Sequence, residues 1–495
     1  MARILIAAAH KSSGKTTVSL GIARALARRG VAVQSFKKGP DYIDPMWHQR
    51  ATGRPCFNLD FNTQSATEIA AMLTAREAAA EIALIEGNMG LYDGVDLEGR
   101  DGNAALAKLT GTPVILVVDT EGMTRGIAPL LIGYRVFDPE VHVAGVVLNR
   151  VANERHEAKL RAAVERYTEV PVIGALPRRA DLMLPERHLG LTTPTESDAV
   201  ESFIDRIADA VAERFDLDTL LGVARLAMPL PSPRPAPSAR AKAASDFIAA
   251  PTYRPRIAIA RDSAFGFYYP DDLEALQAAG ADLVFFDALR ATALPASDGL
   301  FIGGGFPETH MHALAANASL RASIRDAILG GMPAYAECGG LMYLTRAIRW
   351  HGTQAEMVGV VPGFAQMHER PQGRGQVILQ ETAALPWPPP GGNSDEPRTI
   401  RAHEFHHAAI VDLPPDLTYA FDVRRGAGLG NGCDGIVIAN LVAGFAHLRS
   451  TEMHPWAQRF VDFVRQHAAT RSADDGNPIH TRSRTPPVGT SARAP

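Results

Sequence analysis

The sequence predicts an α/β fold in two doubly wound domains, and three observations carry that prediction. Short apolar runs alternate with stretches of helical periodicity through both halves of the chain, the pattern of strand–crossover–strand units on a parallel sheet. A small polar loop ending in Gly14-Lys15-Thr16 separates the first apolar run from the first helical stretch. A Pro/Ala/Ser-rich segment beginning at Met228 and ending near Thr252 interrupts the alternation and has the composition of a semi-extended linker. At 495 residues the chain needs more than one core. The division read from it is a first domain at 1–225, a linker at 226–254, a second domain at 255–468 and a tail at 469–495. The tail is polar and aperiodic, rich in Pro, Ser and Arg, and is expected to be unstructured.

Composition excludes several classes. Hydrophobic residues make up 46% and charged residues 21%, the balance of a soluble globular protein. A net charge of −4 with no concentrated basic face argues against nucleic acid as a partner. No apolar run reaches the roughly 18 residues that span a bilayer. The first strand starts at the N-terminus, leaving no room for a signal peptide. Cys56, Cys338 and Cys433 are too far apart for a disulfide framework or a metal-ligand pattern. A cytoplasmic protein with no membrane association is expected.

In the first domain, Ile4 to Ala9 reads as a buried strand, and Val18 to Leu26 as the helix after the loop. Strand, loop and Gly-Lys-Thr at a helix start make a phosphate cradle. Backbone N–H groups of Ser13, Gly14 and Thr17 meet phosphate oxygens, Lys15 adds a point charge, and the Thr16 hydroxyl ligates Mg²⁺. The usual leading glycine is replaced by Ala9. A second strand, Val31 to Phe36, opens into Lys37-Lys38-Gly39-Pro40-Asp41-Tyr42-Ile43-Asp44, at the strand ends where α/β sheets bind ligands. The same residues also suit a plain solvated turn. The strand ending at Glu86 enters the Gly-rich loop Gly87 to Gly94, which suits a carboxylate poised towards Mg²⁺ and a γ-phosphate. Strands at 113–119, 143–149 and 170–175, then a helix at 198–215, complete the domain.

Taken together, Ser-Ser-Gly-Lys-Thr-Thr, Lys-Gly-Pro-Asp-Tyr-Ile-Asp-Pro and Glu-Gly-Asn-Met-Gly-Leu-Tyr-Asp-Gly in that half are similar to the synthetase domain of cobyrinic acid a,c-diamide synthases, itself related to dethiobiotin synthetase. The resemblance implies a P-loop domain that activates a substrate carboxylate with ATP. It further implies that Asp41 and Glu86 complete a metal site with Thr16, and that Asp41, Tyr42, Ile43 and Asp93 lie near the acid side chains of a tetrapyrrole. Asn149 matches an asparagine that contacts adenine.

The second half restarts with the strand Arg256 to Ala260, followed by runs at 281–286 and 299–302. Gly303-Gly304-Gly305 follows a strand directly, so its N–H groups can approach an oxyanion. In Ala334-Tyr335-Ala336-Glu337-Cys338-Gly339-Gly340 a strand turns sharply into a helix with Cys338 at the turn. That is the setting of an activated nucleophile. A nucleophilic Cys wants a spatially close His, and His447 follows a strand-like run near the end of the domain.

Gly-Gly-Gly-Phe-Pro-Glu, Ala-Glu-Cys-Gly-Gly-Leu-Met-Tyr-Leu and this late His resemble a class I glutamine amidotransferase domain of the cobyric/cobyrinic type, with a flavodoxin-like fold. The resemblance implies that Cys338 forms a glutamyl thioester and releases ammonia, with His447 as its base and Gly304, Gly305 and Gly339 around the glutamine. Many relatives carry Glu two residues after this His. Here Arg449 stands there, and the third member of the triad is left unassigned. His403-Glu404-Phe405-His406-His407 fits the spacing of a zinc-protease motif, but that chemistry needs both histidines on one helical face, and the flanks read as extended.

The function implied is ATP- and glutamine-dependent amidation of the a and c carboxylates of cobyrinate, with Mg²⁺. Two alternatives stay open: amidation of another tetrapyrrole such as sirohaem or a nickel sirohydrochlorin, and a MinD-type regulatory ATPase, which leaves Cys338 without a purpose. The oligomeric state is open, a homodimer included.

Overall fold

The computed structural model describes residues 2–182, 186–187, 190–191, 193–194, 199–230, 253–388 and 398–474. Residues 231–252 of the expected linker and 475–495 of the expected tail lie outside the described residues.

In the first domain seven parallel strands form one sheet. In chain order they are β1 (Ala2–Ala8), β2 (Val33–Lys38), β3 (Phe57–Leu59), β4 (Ile82–Glu86), β5 (Val114–Asp119), β6 (Val143–Val151) and β7 (Val172–Pro177). Their spatial order is β3-β2-β4-β1-β5-β6-β7. The strands are apolar throughout because helices cover both faces. Ile4, Ile6 and Ala8 of β1 pack in one core with helices α1 (Lys15–Arg28) and Val200–Arg214. The alternate residues Leu5 and Ala7 pack in the other, as the two-residue period of a strand requires. β1 is central, so the loop after it opens at the middle of the carboxyl edge, beside the loops after β2 and β4. Strand order thus gathers Lys15, Asp41 and Glu86 from stretches far apart in sequence. Sequence reading missed β3, whose Phe-Asn-Leu is too short to show a period.

The second domain is built on a nine-stranded mixed sheet. Its parallel part runs in the order Asp282–Phe286, Arg256–Ala260, Gly299–Ile302, Ala334–Glu337 and Leu441–Gly444. Four antiparallel strands, Cys433–Ile438, Thr418–Arg425, Gly373–Glu381 and Thr399–His406, extend it. Doubly wound character is therefore confined to the parallel part. The antiparallel strands did not stand out in the sequence, where Gly373–Glu381 and Thr418–Arg425 mix apolar and charged residues along partly exposed strands. The closing helix runs from Trp456 to Asp474, past residue 469 where the tail was expected to begin.

The His403–His407 stretch lies on the strand Thr399–His406 and beyond it. Successive side chains alternate there, so no helical face for zinc exists. Glu404 instead accepts the backbone N–H groups of Ala427 and Gly428, and the His406 ring stacks on Phe445.

Candidate active site

The loop after β1 closes on itself through Ser13, whose hydroxyl donates to the His10 carbonyl. Gly14 has φ +85°, and a side chain there would collide with the Asn149 amide. Only glycine suits both constraints. Asn149, at the end of β6, donates its amide to the Ser13 carbonyl at 2.8 Å, so it braces the loop from below. Lys15 opens α1 and donates to the Met89 carbonyl at 2.6 Å, which ties the loop after β1 to the glycine-rich loop after β4. Burial, then repulsion from Lys37, lowers the Lys15 ammonium to about 8.

Thr16 donates to Glu86 Oε1 at 2.7 Å. The same carboxylate receives Lys37 Nζ at 2.8 Å and faces His48 Nε2 at 2.7 Å. Lys37 also contacts Asp44. Glu86, Lys37, His48 and Asp44 are buried, and Thr16 is half-buried. Burial works against the charge of Glu86, yet Lys37 and His48 hold its pKa well below the carboxylate range. Burial and the neighbouring Asp41 push Asp44 up. Sequence reading named Glu86 but missed Lys37 and His48 as its partners, and Asp44 as the second partner of Lys37. The available signal was a lysine ending a buried strand, which needs a counter-charge.

Thr16 and Glu86 suit Mg²⁺, which keeps several waters and takes one or two carboxylates plus phosphate oxygens. Asp41, by contrast, makes its hydrogen bonds to the backbone. Its Oδ1 accepts the N–H groups of Ile43 and Asp44 at the start of helix α2 (Ile43–Thr52). Among the described residues no cluster of three or more His, Cys, Asp or Glu is arranged for a metal.

Cys338 sits between the strand Ala334–Glu337 and the helix Gly339–Leu344 with φ +48° and ψ −103°. That strained conformation is rare outside glycine, and it lifts the thiol out of the strand. A side chain at Gly340 would overlap the Ile302 carbonyl, and one at Gly339 would come within 2.9 Å of Gly305 N. The Cys338 elbow and the triple-glycine loop are therefore in direct contact, as the sequence predicts. His447 completes the group: it pairs with Cys338, and Gly304 packs against its ring. Burial acts to depress the imidazolium, but Cys338 and then Glu337 outweigh it and raise His447 to about 10. His403 stacks on it with ring centroids 4.9 Å apart. His403 titrates well below the usual histidine value because of burial, His447 and Arg449.

A cavity of about 390 Å³ joins the two halves. Asp41, Tyr42 and Ile43 line it from the first domain, and Phe306, His403 and His447 from the second. Asp93 does not line it. Its carboxylate turns back to accept Gly90 N–H at 3.1 Å. Lys38, Asp60, Asp101, Arg374 and Gln376 also line the cavity. These lining residues were not singled out as a site in the sequence, because only the domain contact brings them together.

Residues 4–191 match the CobQ/CobB/MinD/ParA nucleotide binding domain. Residues 256–453 match the CobB/CobQ-like glutamine amidotransferase domain. A cobyrinate a,c-diamide synthase of Magnetococcus marinus is 42% identical over 465 residues, covering 94% of this chain and 97% of its own. The chain belongs to the cobyrinate a,c-diamide synthase family. Family members from Methanosarcina barkeri, 39% identical over 95% of this chain and 97% of their own, and Listeria monocytogenes, 40% identical over 90% and 96%, agree.

Within this family frame Arg449 has a structural explanation. It is buried, bonds Asp271 Oδ2 at 2.9 Å and donates to the Asn58 carbonyl of β3 at 2.7 Å. The arginine two residues after His447 is thus a tie between the domains.

Proposed function

We propose that this chain amidates the a and c carboxylates of cobyrinate, using ATP and ammonia drawn from glutamine. The observation that carries the reading is the cavity lined jointly by His447 of the second domain and the Lys37–Ile43 loop of the first. In the second domain, Cys338 Sγ attacks the glutamine carboxamide carbon while His447 takes the thiol proton. The backbone around Gly304, Gly305 and Gly339 faces the developing oxyanion. His447 returns the proton to the departing ammonia, and water then hydrolyses the thioester to glutamate.

In the first domain, a substrate carboxylate oxygen attacks the γ-phosphorus of ATP and ADP leaves. Ammonia then displaces phosphate from the acyl phosphate, a far better leaving group than oxide. Ser13, Gly14, Lys15 and Thr17 hold the phosphates, and Asn149 faces adenine. Thr16 and Glu86 would hold Mg²⁺, which neutralises phosphate charge. Asp41, Tyr42 and Ile43 meet the corrin periphery, with Lys38 and Arg374 as cations for its remaining carboxylates. The division of labour follows a first domain ending near 225 and a second beginning near 255 whose closing helix runs to Asp474, and the enzyme works in the cytoplasm.

Arg449 serves the contact between the domains, through Asp271 and β3, and so gives no ground for a different tetrapyrrole. The MinD-type reading leaves the elbow at Cys338 unused. The test is mass spectrometry of cobyrinate after incubation with the full chain, ATP, Mg²⁺ and glutamine. A diamide is expected. Unchanged cobyrinate alongside amidated sirohaem or nickel sirohydrochlorin would overturn the assignment.

A further inference from the structure

The base His447 lacks the downstream acid that usually orients such a histidine, because Arg449 occupies that place and points to Asp271. A neutral imidazole needs a partner at one nitrogen to present the other correctly. His447 Nδ1 is fully buried and makes no hydrogen bond of normal geometry. The polar group facing it is Glu337 Oε2, at 3.4 Å, and the two side chains are 3% and 4% exposed. Glu337 is itself fixed: its Oε1 accepts the Tyr335 hydroxyl at 2.5 Å and the Leu448 N–H at 2.9 Å.

Consecutive residues of a strand point to opposite faces, so Glu337 and Cys338 would ordinarily diverge. The positive φ of Cys338 breaks that alternation. One imidazole can then meet the carboxylate of residue 337 at Nδ1 and leave Nε2 for the sulfur of residue 338.

We infer that Glu337, the residue immediately before the nucleophile, is the positioning residue that completes the Cys338–His447 pair. It holds the Nδ1–H tautomer and stabilises the imidazolium formed when Cys338 gives up its proton. The inference rests on the amidotransferase reading of the second domain. Three other titratable groups face His447: Cys338, the stacked His403 and the Tyr42 ring. Only Glu337 among these four supplies a carboxylate.

The experiment compares the full chain with Glu337→Gln, which keeps shape and removes charge. Glutaminase kcat should fall, by up to about 10⁴-fold, with KM for glutamine little changed, by analogy with loss of a triad acid. The alkaline limb of the glutaminase pH profile should move down by about one unit, because the imidazolium loses its neighbour. Synthesis from ammonium chloride should persist, which also reports folding. An unmoved alkaline limb in a variant that still uses ammonia would overturn the inference, whatever happens to kcat. Should the variant not fold, the unaltered protein with labelled histidine decides by NMR. A strongly downfield Nδ1–H resonance for His447 supports the pair, and its absence rejects it. Cys338→Ser serves as the separate control: glutaminase activity surviving there would defeat the amidotransferase reading itself.

Discussion

Tyr42 of the synthetase half lies against His447 of the amidotransferase half, ring centroids 5.1 Å apart at 47°. Tyr42 also stacks on Phe267 at 5.4 Å and meets Tyr269 at 4.5 Å. A residue of the loop after β2 thus closes an aromatic cluster around the base of the other active site. On the proposed mechanism, ammonia released at Cys338 passes beside this cluster on its way to the acyl phosphate.

Tyr42→Ala should therefore loosen the seal more than it damages either chemistry. The expected result is a several-fold rise in glutamate formed per amide made, with glutaminase activity retained. Because the loop also meets the corrin, the pattern of amides should shift as well. The measurement pairs glutamate release with product mass spectrometry. Unchanged stoichiometry and unchanged products together would remove Tyr42 from both roles.

Lys15 gives a pH-dependent prediction. Its ammonium is lowered to about 8 in the free protein by burial and Lys37. A bound polyphosphate favours the charged form and raises that value. Nucleotide binding near pH 8 should therefore take up protons, and ATP affinity should fall as pH rises above 8. Calorimetry in buffers of different ionisation enthalpy reads the uptake. Lys15→Ala should abolish both the uptake and synthesis from either nitrogen source. Ammonia-dependent synthesis surviving in this variant would sink the P-loop assignment.

Arg449 offers a stability test. Replacing it by alanine leaves Asp271 half of a broken buried pair and orphans the Asn58 carbonyl. Such a loss costs about 3 kcal/mol. The thermal midpoint of Arg449→Ala should fall clearly. Arg449→Lys should not restore it, since a single ammonium cannot reproduce the forked contact with Asp271 and β3. Full stability in the lysine variant would show that charge alone matters there.

Contiguous features were legible in the sequence. The phosphate loop and the elbow at Cys338 each lie within about ten residues, and local pattern fixes their geometry. The extended character of His403 to His407 was legible too, from its flanks. Features made by tertiary contact were not. Glu86 was named as a metal ligand, but its partners Lys37 and His48 arrive from β2 and α2, which no local spacing relates to β4. Asp93 was placed with the substrate by motif, and the bond its carboxylate accepts from the Gly90 N–H was not legible. Glu337 sat in plain view beside Cys338. Strand alternation argued against it, and only the backbone angle at Cys338 reverses that argument.

The two-site architecture carries the last prediction. On the proposed mechanism Cys338 serves only to liberate ammonia, and the Lys15 site only to activate and trap a carboxylate. Cys338→Ser should eliminate glutamine-dependent synthesis and leave synthesis from high ammonium chloride largely intact, because the acyl phosphate does not involve the thiol. His447→Ala should give the same split. Its packing against Tyr42 and His403 adds a second effect, a partly opened cavity through which free ammonia enters more easily. Ammonia-dependent turnover in His447→Ala should therefore equal or exceed that of Cys338→Ser. Product formation with each nitrogen source, beside a thermal-unfolding check on each variant, measures the split. Loss of both activities in a well-folded Cys338 variant would place this cysteine in the ligation chemistry, and the separation of the two sites would have to be abandoned.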